Sequence, residues 1–292
     1  MNKYKGIAYA LLSSTAFGVM PILARIAYTN GSNPTTVLMF RFLISTLILY
    51  IYLKFSHINI NLKKEQTLLL IFIGITGYTI TTQALFMSYN YLGAGLATTL
   101  HFIYPVVVCI ASFIFFKNKL SNKKIISLIL AAIGVYSLVA LKNSTVNILG
   151  ISLALFSGIA YGLTLIALNL KSIRALDNRI TTMYLCLGST IGMILCGIFN
   201  NSITLNFNFK IVSCYLGISI ISTILSIILL LKAIEIIGVS SSSILGTFEP
   251  IVSVFLGIIF LNEELSFALL IGSAFILIST VILAKDKSPS SN

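Results

Sequence analysis

The fold is decided by two short stretches, FFKNKLS at residues 115–121 and FLNEELS at residues 260–266. Both keep the frame F-x-x-x-x-L-S, but the first copy contains two lysines and the second two glutamates. Lys117 aligns with Asn262, Asn118 with Glu263 and Lys119 with Glu264. The apolar positions are kept while the charged positions between them change from basic to acidic. This indicates the same structural turn in two different electrostatic surroundings.

Longer matches surround these stretches. With an offset of 145 residues, 93–121 matches 238–266, including Pro105 with Pro250. With an offset of 144, GIAYALLSSTAFG at 6–18 matches GISLALFSGIAYG, which begins at Gly150. Two matches in the same order and at nearly the same offset predict a duplicated unit.

The composition excludes a soluble protein. Of the 292 residues, 58% are hydrophobic and 9% are charged, and the mean hydropathy is +1.03, whereas about a quarter of the residues of a soluble domain are charged. A spanning helix needs roughly 20 apolar residues. The sequence predicts an all-α polytopic membrane protein with ten such helices, at 6–28, 34–54, 67–89, 94–116, 123–141, 148–169, 181–199, 210–231, 239–261 and 267–284.

These helices divide into repeat 1 at 6–141 and repeat 2 at 148–284, followed by a tail at 285–292 that we expect to be disordered. With both termini in the cytoplasm, 15 of the 19 lysines and arginines fall on the inner side, three on the outer side, and Arg41 within a span. This follows the positive-inside rule. Because each repeat has an odd number of helices, the second enters the membrane inverted, which explains the reversed charge. We expect a bacterial inner membrane.

Inverted repeats are typical of secondary transporters, in which two similar halves exchange conformations and open a central site to alternate sides. The duplication therefore indicates a transport mechanism before any ligand is considered.

Four stretches carry a resemblance to a known family: FGVMPILARIAY (17–28), LMFRFLIS (38–45), YNYLGAGLATTLHFIYPVV (89–107) and TFEPIVSVFLGIIFLNEELS (247–266). With them the sequence resembles the drug/metabolite transporter superfamily, and within it the EamA-type members with two five-helix repeats. The resemblance covers residues 6–284, and the acid Glu263 fits the motif that ends repeat 2, whereas Asn118 departs from it in repeat 1. It implies export of metabolites, often amino acids, although some members import or carry sugars, nucleotide sugars or vitamins.

Glu249 is the one acid predicted to lie deep in the bilayer, directly before Pro250, a residue that can kink the helix. Because intramembrane charge is costly, we expect Glu249 to face a central cavity and bind an amine or carry a proton. The alternative is an acid satisfied by serine or tyrosine hydroxyls in a packed bundle.

Other polar side chains fall at related depths. Tyr104 aligns with Glu249 and precedes Pro105, the second predicted kink, and His101 lies one turn earlier. Each either lines the cavity or packs in the bundle. Arg41 either binds a substrate carboxylate, pairs with Glu249, or fixes helix packing and reaches the outer headgroups.

Helix 3 carries Tyr78 and Gln83, which either contact substrate or hydrogen-bond across helices. Phe17 and Tyr161 take equivalent aromatic places in the two repeats, as cavity wall or as ordinary packing.

We expect a transporter and not an enzyme, because the sequence contains no H-E-x-x-H motif and no Ser-His-Asp cluster at sensible depths. The expected ligands are a small-molecule substrate and the lipid bilayer, with no nucleic acid, metal or cofactor. A proton is the one coupling species considered. One chain holds both repeats, which favours a monomer. The alternatives are a lipid-linked flippase or a carrier of sugars or nucleotide-type solutes.

Overall fold

The computed structural model describes residues 3–92, 94–116, 121–139, 147–261 and 267–285, and all regular structure within these ranges is helical. The central residues of the two charge-reversed turns and most of the predicted tail lie outside the described residues.

The described chain forms sixteen α-helices and two π-helical segments. In chain order they are α1 Lys3–Gly18, α2 Met20–Thr29, α3 Pro34–Phe55, α4 Lys64–Phe72, π1 Ile73–Tyr78, α5 Thr79–Leu92, α6 Ala94–His101, α7 Tyr104–Phe116, α8 Asn122–Val139, α9 Ile148–Leu168, α10 Lys171–Arg174, α11 Asn178–Phe199, α12 Phe209–Ser219, π2 Ile220–Leu225, α13 Ser226–Ile237, α14 Val239–Gly246, α15 Glu249–Leu261 and α16 Phe267–Ala284.

Among the described residues, seven helical runs are long and apolar enough to cross a membrane by length and composition. They are Lys3–Thr29, Pro34–Phe55, Lys64–Ser88, Ile148–Leu168, Asn178–Phe199, Phe209–Ile237 and Val239–Gly257, and a shorter apolar helix covers Tyr104–Phe115. The chain is therefore a polytopic membrane protein.

Large apolar side chains cover the outer surface of the bundle as well as filling its interior. Large apolar residues such as Ile110, Phe113 and Leu195 are exposed, whereas small hydroxyl residues such as Ser45 and Ser189 are fully buried. Ser45 donates to the Arg41 carbonyl oxygen at 2.7 Å and Ser189 to the Leu185 carbonyl oxygen at 2.9 Å. Such a surface suits lipid, and the buried hydroxyls are satisfied by backbone.

Two interruptions divide helices at equivalent places in the halves. α6 ends at His101 and α7 begins at Tyr104; α14 ends at Gly246 and α15 begins at Glu249. Each interruption comes just before a proline, which has no N–H to continue the helical hydrogen bonds. Tyr104 and Glu249 therefore both occupy the first position of a half-helix.

The two π segments lie at similar but not identical places in the two halves, since π1 begins at Ile73 and π2 at Ile220, 147 residues later. Thr79 donates its hydroxyl to the Gly74 carbonyl oxygen at 3.1 Å, and Thr223 donates to the Ile218 carbonyl oxygen at 3.0 Å. In both cases the partners are five residues apart, and the two threonines are separated by 144 residues. Single-turn π segments of this kind are frequent at functional sites.

Gly18 and Gly162 make equivalent close contacts between the two halves, each against a valine and a backbone carbonyl oxygen. A methyl group on Gly18 would lie 2.8 Å from Val252 Cβ and 3.1 Å from the Glu249 carbonyl oxygen. A methyl group on Gly162 would lie 2.9 Å from Val107 Cβ and 3.2 Å from the Tyr104 carbonyl oxygen. The first helix of each repeat thus packs against a half-helix of the other repeat: α1 against α15, which begins at Glu249, and α9 against α7, which begins at Tyr104.

Outside the spans, Asp177 caps α11 and binds Arg179. Its Oδ1 accepts from the Arg179 backbone N–H at 2.8 Å, and its Oδ2 lies 2.6 Å from Arg179 Nη2. The hydrogen bonds from Arg179 lower the pKa of the Asp177 carboxyl below its usual value. The charge therefore adds stability above the ordinary pKa, and this contribution is lost as the pH falls through the lowered pKa.

Asp177→Asn keeps a capping oxygen and removes the charge. We expect the melting temperature to fall by about 1–3 °C at neutral pH, because the pair is partly exposed and worth only about 0.2–1 kcal/mol. Thermal unfolding in nanodiscs over a pH series checks this. The difference should begin to narrow as the pH falls below 3.8, the usual pKa of the group, and close below the lowered pKa of the folded protein. Glu65→Gln, at an exposed acid in the first turn of α4, is the control; a difference that persists in acid would contradict the assignment.

Candidate functional site

An aromatic cluster occupies the interior beside the two helix interruptions. The Tyr104 and Tyr161 ring centroids are 4.9 Å apart, those of His101 and Tyr161 are 5.4 Å apart, and those of Tyr78 and Tyr161 are 6.3 Å apart. Tyr161, on α9, is therefore the centre of a group contributed by α6, α7 and π1. The aromatic cluster is defined here as Tyr78, His101, Tyr104 and Tyr161.

Phe17 occupies the matching place in the first half. Phe17 and Tyr161 are separated by 144 residues, and each packs, partly buried, against the same two hydrophobic clusters of the interior. The two aromatic residues thus line the boundary between these clusters from opposite repeats.

Glu249 lies at the start of α15 and is only partly buried, although it sits within the bundle. Its electrostatic interactions are with Arg41, Tyr104 and Tyr161. Within the described part of the chain, no hydrogen bond or ion pair occupies its carboxylate. The alternative in which serine or tyrosine hydroxyls satisfy Glu249 has no such bond to support it among these residues.

His101 is held as a hydrogen-bonded residue. Its Nδ1 lies 2.9 Å from Ser157 Oγ, and the Ser157 hydroxyl donates to the Ala154 carbonyl oxygen at 2.7 Å. Because a hydroxyl has one hydrogen, Ser157 accepts from His101, and Nδ1 carries the proton. His101 therefore presents a fixed ring to the aromatic cluster.

Arg41, on α3, is 2% exposed and reaches across to π2. Its Nε donates to Thr223 Oγ1 at 2.7 Å, its Nη1 to Met20 Sδ at 2.8 Å, and its Nη2 to the Ser222 carbonyl oxygen at 3.4 Å. Arg41 and Glu249 interact electrostatically without forming an ion pair with each other. Their opposite charges are thus held apart in one interior.

Tyr78 of π1 and Gln83 of α5, the two polar residues singled out in the third predicted span, have different surroundings. Tyr78 is 3% exposed, and its hydroxyl has no hydrogen-bond partner among the described residues. Gln83 Nε2, on α5, donates to Thr35 Oγ1 at 3.2 Å, and this hydrogen bond joins α5 to the start of α3. Tyr78 belongs to the aromatic cluster, whereas the observed contact of Gln83 is with α3.

The structure adds Met20, Ser157, Ser222, Thr223 and Gly246 to the residues predicted from sequence. Serine and threonine at membrane depth are a weak signal, since most such hydroxyls bind their own helix. Met20 and Gly246 are apolar and gave no signal at all.

Gly246 allows Tyr104 to lie where it does. A methyl group on Gly246 would overlap the Tyr104 hydroxyl oxygen, and it would lie 3.3 Å from the Tyr104 ring carbon that bears the hydroxyl. Gly246 matches His101 at the offset of 145, so the small residue of one half leaves room for a large residue of the other.

We expect Gly246→Ala to displace Tyr104 and lower transport at least about threefold, because overpacking typically costs 1–3 kcal/mol. Tyr104→Phe removes the overlapping atom, so the double variant should regain part of the lost activity. Solute counterflow by the single and double variants in proteoliposomes measures the coupling. Strictly additive losses would show that the contact is unimportant.

A cavity of about 780 Å³ lies apart from the aromatic cluster, between α3, α11 and the π2–α13 run. Its wall combines apolar side chains with a charged rim, and none of the eight predicted site residues lines it. The lining residues are Ile48, Leu49, Tyr52, Leu176, Asp177, Asn178, Arg179, Ile224, Ile228, Lys232 and Glu235.

Comparison with known proteins agrees with this architecture. A search of curated proteins finds no match. A solved crystal structure, titled only "Crystal structure of protein", superposes with a TM-score of 0.82 at 12% identity and covers 96% of each chain, which is a likeness of fold alone. The sequence profile of the EamA-like transporter family matches twice, at residues 4–140 and 148–285. The two matches together take in nearly all of the chain, so this protein belongs to the EamA-like transporter family, with two repeated halves.

Proposed function

We propose that this protein is a secondary transporter of small metabolites that carry an amine, with amino acids as the leading class and export as the direction. The observation that carries the proposal is the Glu249 carboxylate, which has no hydrogen bond or ion pair among the described residues. Glu249 lies three residues after Gly246, which is in contact with the Tyr104 hydroxyl of the aromatic cluster. A substrate ammonium group supplies the missing positive charge.

The aromatic cluster suits the same ligand. Aromatic faces attract ammonium groups, with energies that reach about 2 kcal/mol where water is excluded. Tyr104 and Tyr161 both lie within the electrostatic reach of Glu249. A carboxylate next to tyrosine faces is therefore a site for a small organic cation or for the ammonium end of a zwitterion.

Alternating access follows from the two halves. In our proposal the ten predicted spans form two inverted repeats with both termini in the cytoplasm, as the 15 inner and three outer basic residues favour. The half-helices that begin at Tyr104 and Glu249 are the elements that move relative to α9 and α1. The protein acts as a monomer in a bacterial inner membrane.

The cavity at α3, α11 and π2 is proposed as the cytoplasmic entrance. Ile224 of π2 lines the cavity, and the preceding residue, Thr223, holds Arg41. A solute in the cavity is thus separated from the central charges by one π-helical turn. The charged rim, which includes Lys232 and Arg179, suits polar solutes.

Glu249 also suits proton coupling. The same carboxylate cannot hold a proton and an ammonium group at once, so substrate binding would release the proton and proton binding would release substrate. In a carrier that opens this site to one side of the membrane at a time, such competition favours exchange of protons for substrate.

Counterflow in proteoliposomes tests the function. Vesicles loaded with single unlabelled amino acids are diluted into the labelled amino acid, and uptake is compared with protein-free vesicles. Uptake driven by one side-chain class supports the proposal. Folded protein that gives no counterflow with any amino acid would reject it and favour sugars, nucleotide-type solutes or a lipid-linked flippase.

A further inference from the structure

Arg41 is a buried cation that forms no ion pair within the described ranges of the chain. Its three hydrogen bonds go to a threonine hydroxyl, a backbone carbonyl and a thioether, and its guanidinium lies 4.8 Å from the centre of the Phe42 ring. No acidic side chain of the described chain forms an ion pair with it. Buried charges are normally paired, because removal from water costs several kcal/mol.

The three hydrogen bonds of Arg41 differ in strength and in how firmly the acceptor is held in place. Thr223 and Ser222 belong to π2, and Thr223 is itself fixed by its bond to Ile218. A thioether sulfur, in contrast, is only a weak acceptor, and the methionine side chain has three rotatable bonds. Met20 is therefore the partner that a better acceptor would replace first.

Met20 also lies at a hinge of the backbone. α1 ends at Gly18 and α2 begins at Met20, with Pro21 unable to donate a helical hydrogen bond. The Gly18 carbonyl oxygen freed by this interruption accepts from Ser253 of α15 at 3.1 Å. Met20 thus binds Arg41 and lies two residues after Gly18, which contacts the half-helix that begins at Glu249.

A second unsatisfied group lies in the same region. Tyr78 is buried, its hydroxyl has no partner among the described residues, and it interacts electrostatically with Arg41. Its ring meets those of Phe42 and Tyr161, at 6.4 and 6.3 Å between centroids. A donor hydroxyl and guanidinium N–H groups that lack a strong acceptor together suit a carboxylate.

We propose that Arg41 binds the carboxylate of a zwitterionic substrate whose ammonium group is held at Glu249, and that Met20 covers the guanidinium until the carboxylate displaces it. This rests on the proposed function for the identity of the substrate. It assigns Met20 as a residue that determines specificity, since its thioether competes with carboxylates and not with amines.

Methyl NMR of the full chain in nanodiscs tests the displacement directly. The chain has six methionines, and loss of a signal in Met20→Leu identifies the Met20 methyl group. Sodium acetate and glycine should shift the Met20 signal, whereas methylammonium chloride and sodium chloride at equal ionic strength should not. The Met183 signal, from a separate hydrophobic cluster, is the internal control.

Transport by Met20→Leu gives a second measurement. Leucine keeps the volume and removes the sulfur, so the half-saturating concentration of a transported amino acid should fall roughly three- to tenfold. The half-saturating concentration of its decarboxylated amine should not change. Met183→Leu, at another buried methionine, should leave both values unchanged.

Failure of the carboxylate site at Arg41 can be distinguished from failure of the proposed amino-acid transport. A Met20 signal that ignores acetate and glycine, or that responds equally to methylammonium, would overturn the carboxylate site even if amino-acid counterflow is present. A Met20 signal that responds to carboxylates in protein without counterflow would leave the site standing and reject transport of amino acids.

Discussion

Glu249→Gln should reduce counterflow of amine-bearing solutes at least about tenfold, because loss of the charged partner of a substrate ammonium group costs about 1.5–3 kcal/mol. Glutamine keeps the length of the side chain and one carbonyl oxygen, but it neither attracts an ammonium group nor takes up a proton. Any residual transport should no longer depend on pH. Initial rates of counterflow at acidic, neutral and alkaline pH measure both effects.

Glu65→Gln is the matched control, since Glu65 is an exposed acid at the start of α4. It should leave both the rate and its pH dependence unchanged. Wild-type rates in Glu249→Gln, with wild-type pH dependence, would show that Glu249 has only a packing role and would remove the observation on which the proposed function rests.

Gly74→Ala should lower the melting temperature by at least about 5 °C, since overpacking costs 1–3 kcal/mol or more and each kcal/mol is worth 2–4 °C in a chain of this size class. The added methyl group would lie 2.5 Å from the Leu185 carbonyl oxygen and 2.9 Å from Gly188 Cα, so backbone meets backbone and no side chain can move aside. Separation of the helices would also break the bond from Ser189 to the Gly74 carbonyl oxygen.

Gly217→Ala provides the comparison. Its added methyl group would meet only Leu23 Cδ1, at 2.9 Å, and the end of a leucine side chain can rotate away. We expect a change within about 2 °C, as for ordinary substitutions of about 0.5 kcal/mol. Thermal unfolding of both variants in nanodiscs checks the pair, and equal effects would contradict the close approach of π1 and α11.

Three features were predictable because they depend on residue identity alone: the repeat, the apolar helices and the transporter family. Composition requires a bilayer, and duplicated motifs require two related halves. The family match at 4–140 and 148–285 confirms the resemblance. The number of spans and the orientation of the termini stay predictions.

The site was less accessible to sequence reasoning. Tyr104 and Glu249 were paired by alignment alone, but the sequence could not show that the Glu249 carboxylate lacks a partner or that Tyr161 is the centre of the aromatic cluster. Gln83 illustrates the opposite case, since a polar residue at membrane depth binds Thr35 of the neighbouring helix. Residue type predicts how deep a polar side chain lies in the bilayer and that its burial costs free energy. Its hydrogen-bond partners, in contrast, depend on how the helices cross.

The π segments were not predictable because their signature is one extra residue in a helical turn, which leaves no mark in an apolar sequence. Thr79 and Thr223 bind carbonyl oxygens five residues back in both halves. Each half thus has one widened turn in its third predicted span, but the two turns have different contacts: π1 packs against α11 at Gly74, whereas Thr223 and Ser222 of π2 hold Arg41. The two halves are therefore alike in their sequence frame and unlike at the turn where one of them binds a buried cation.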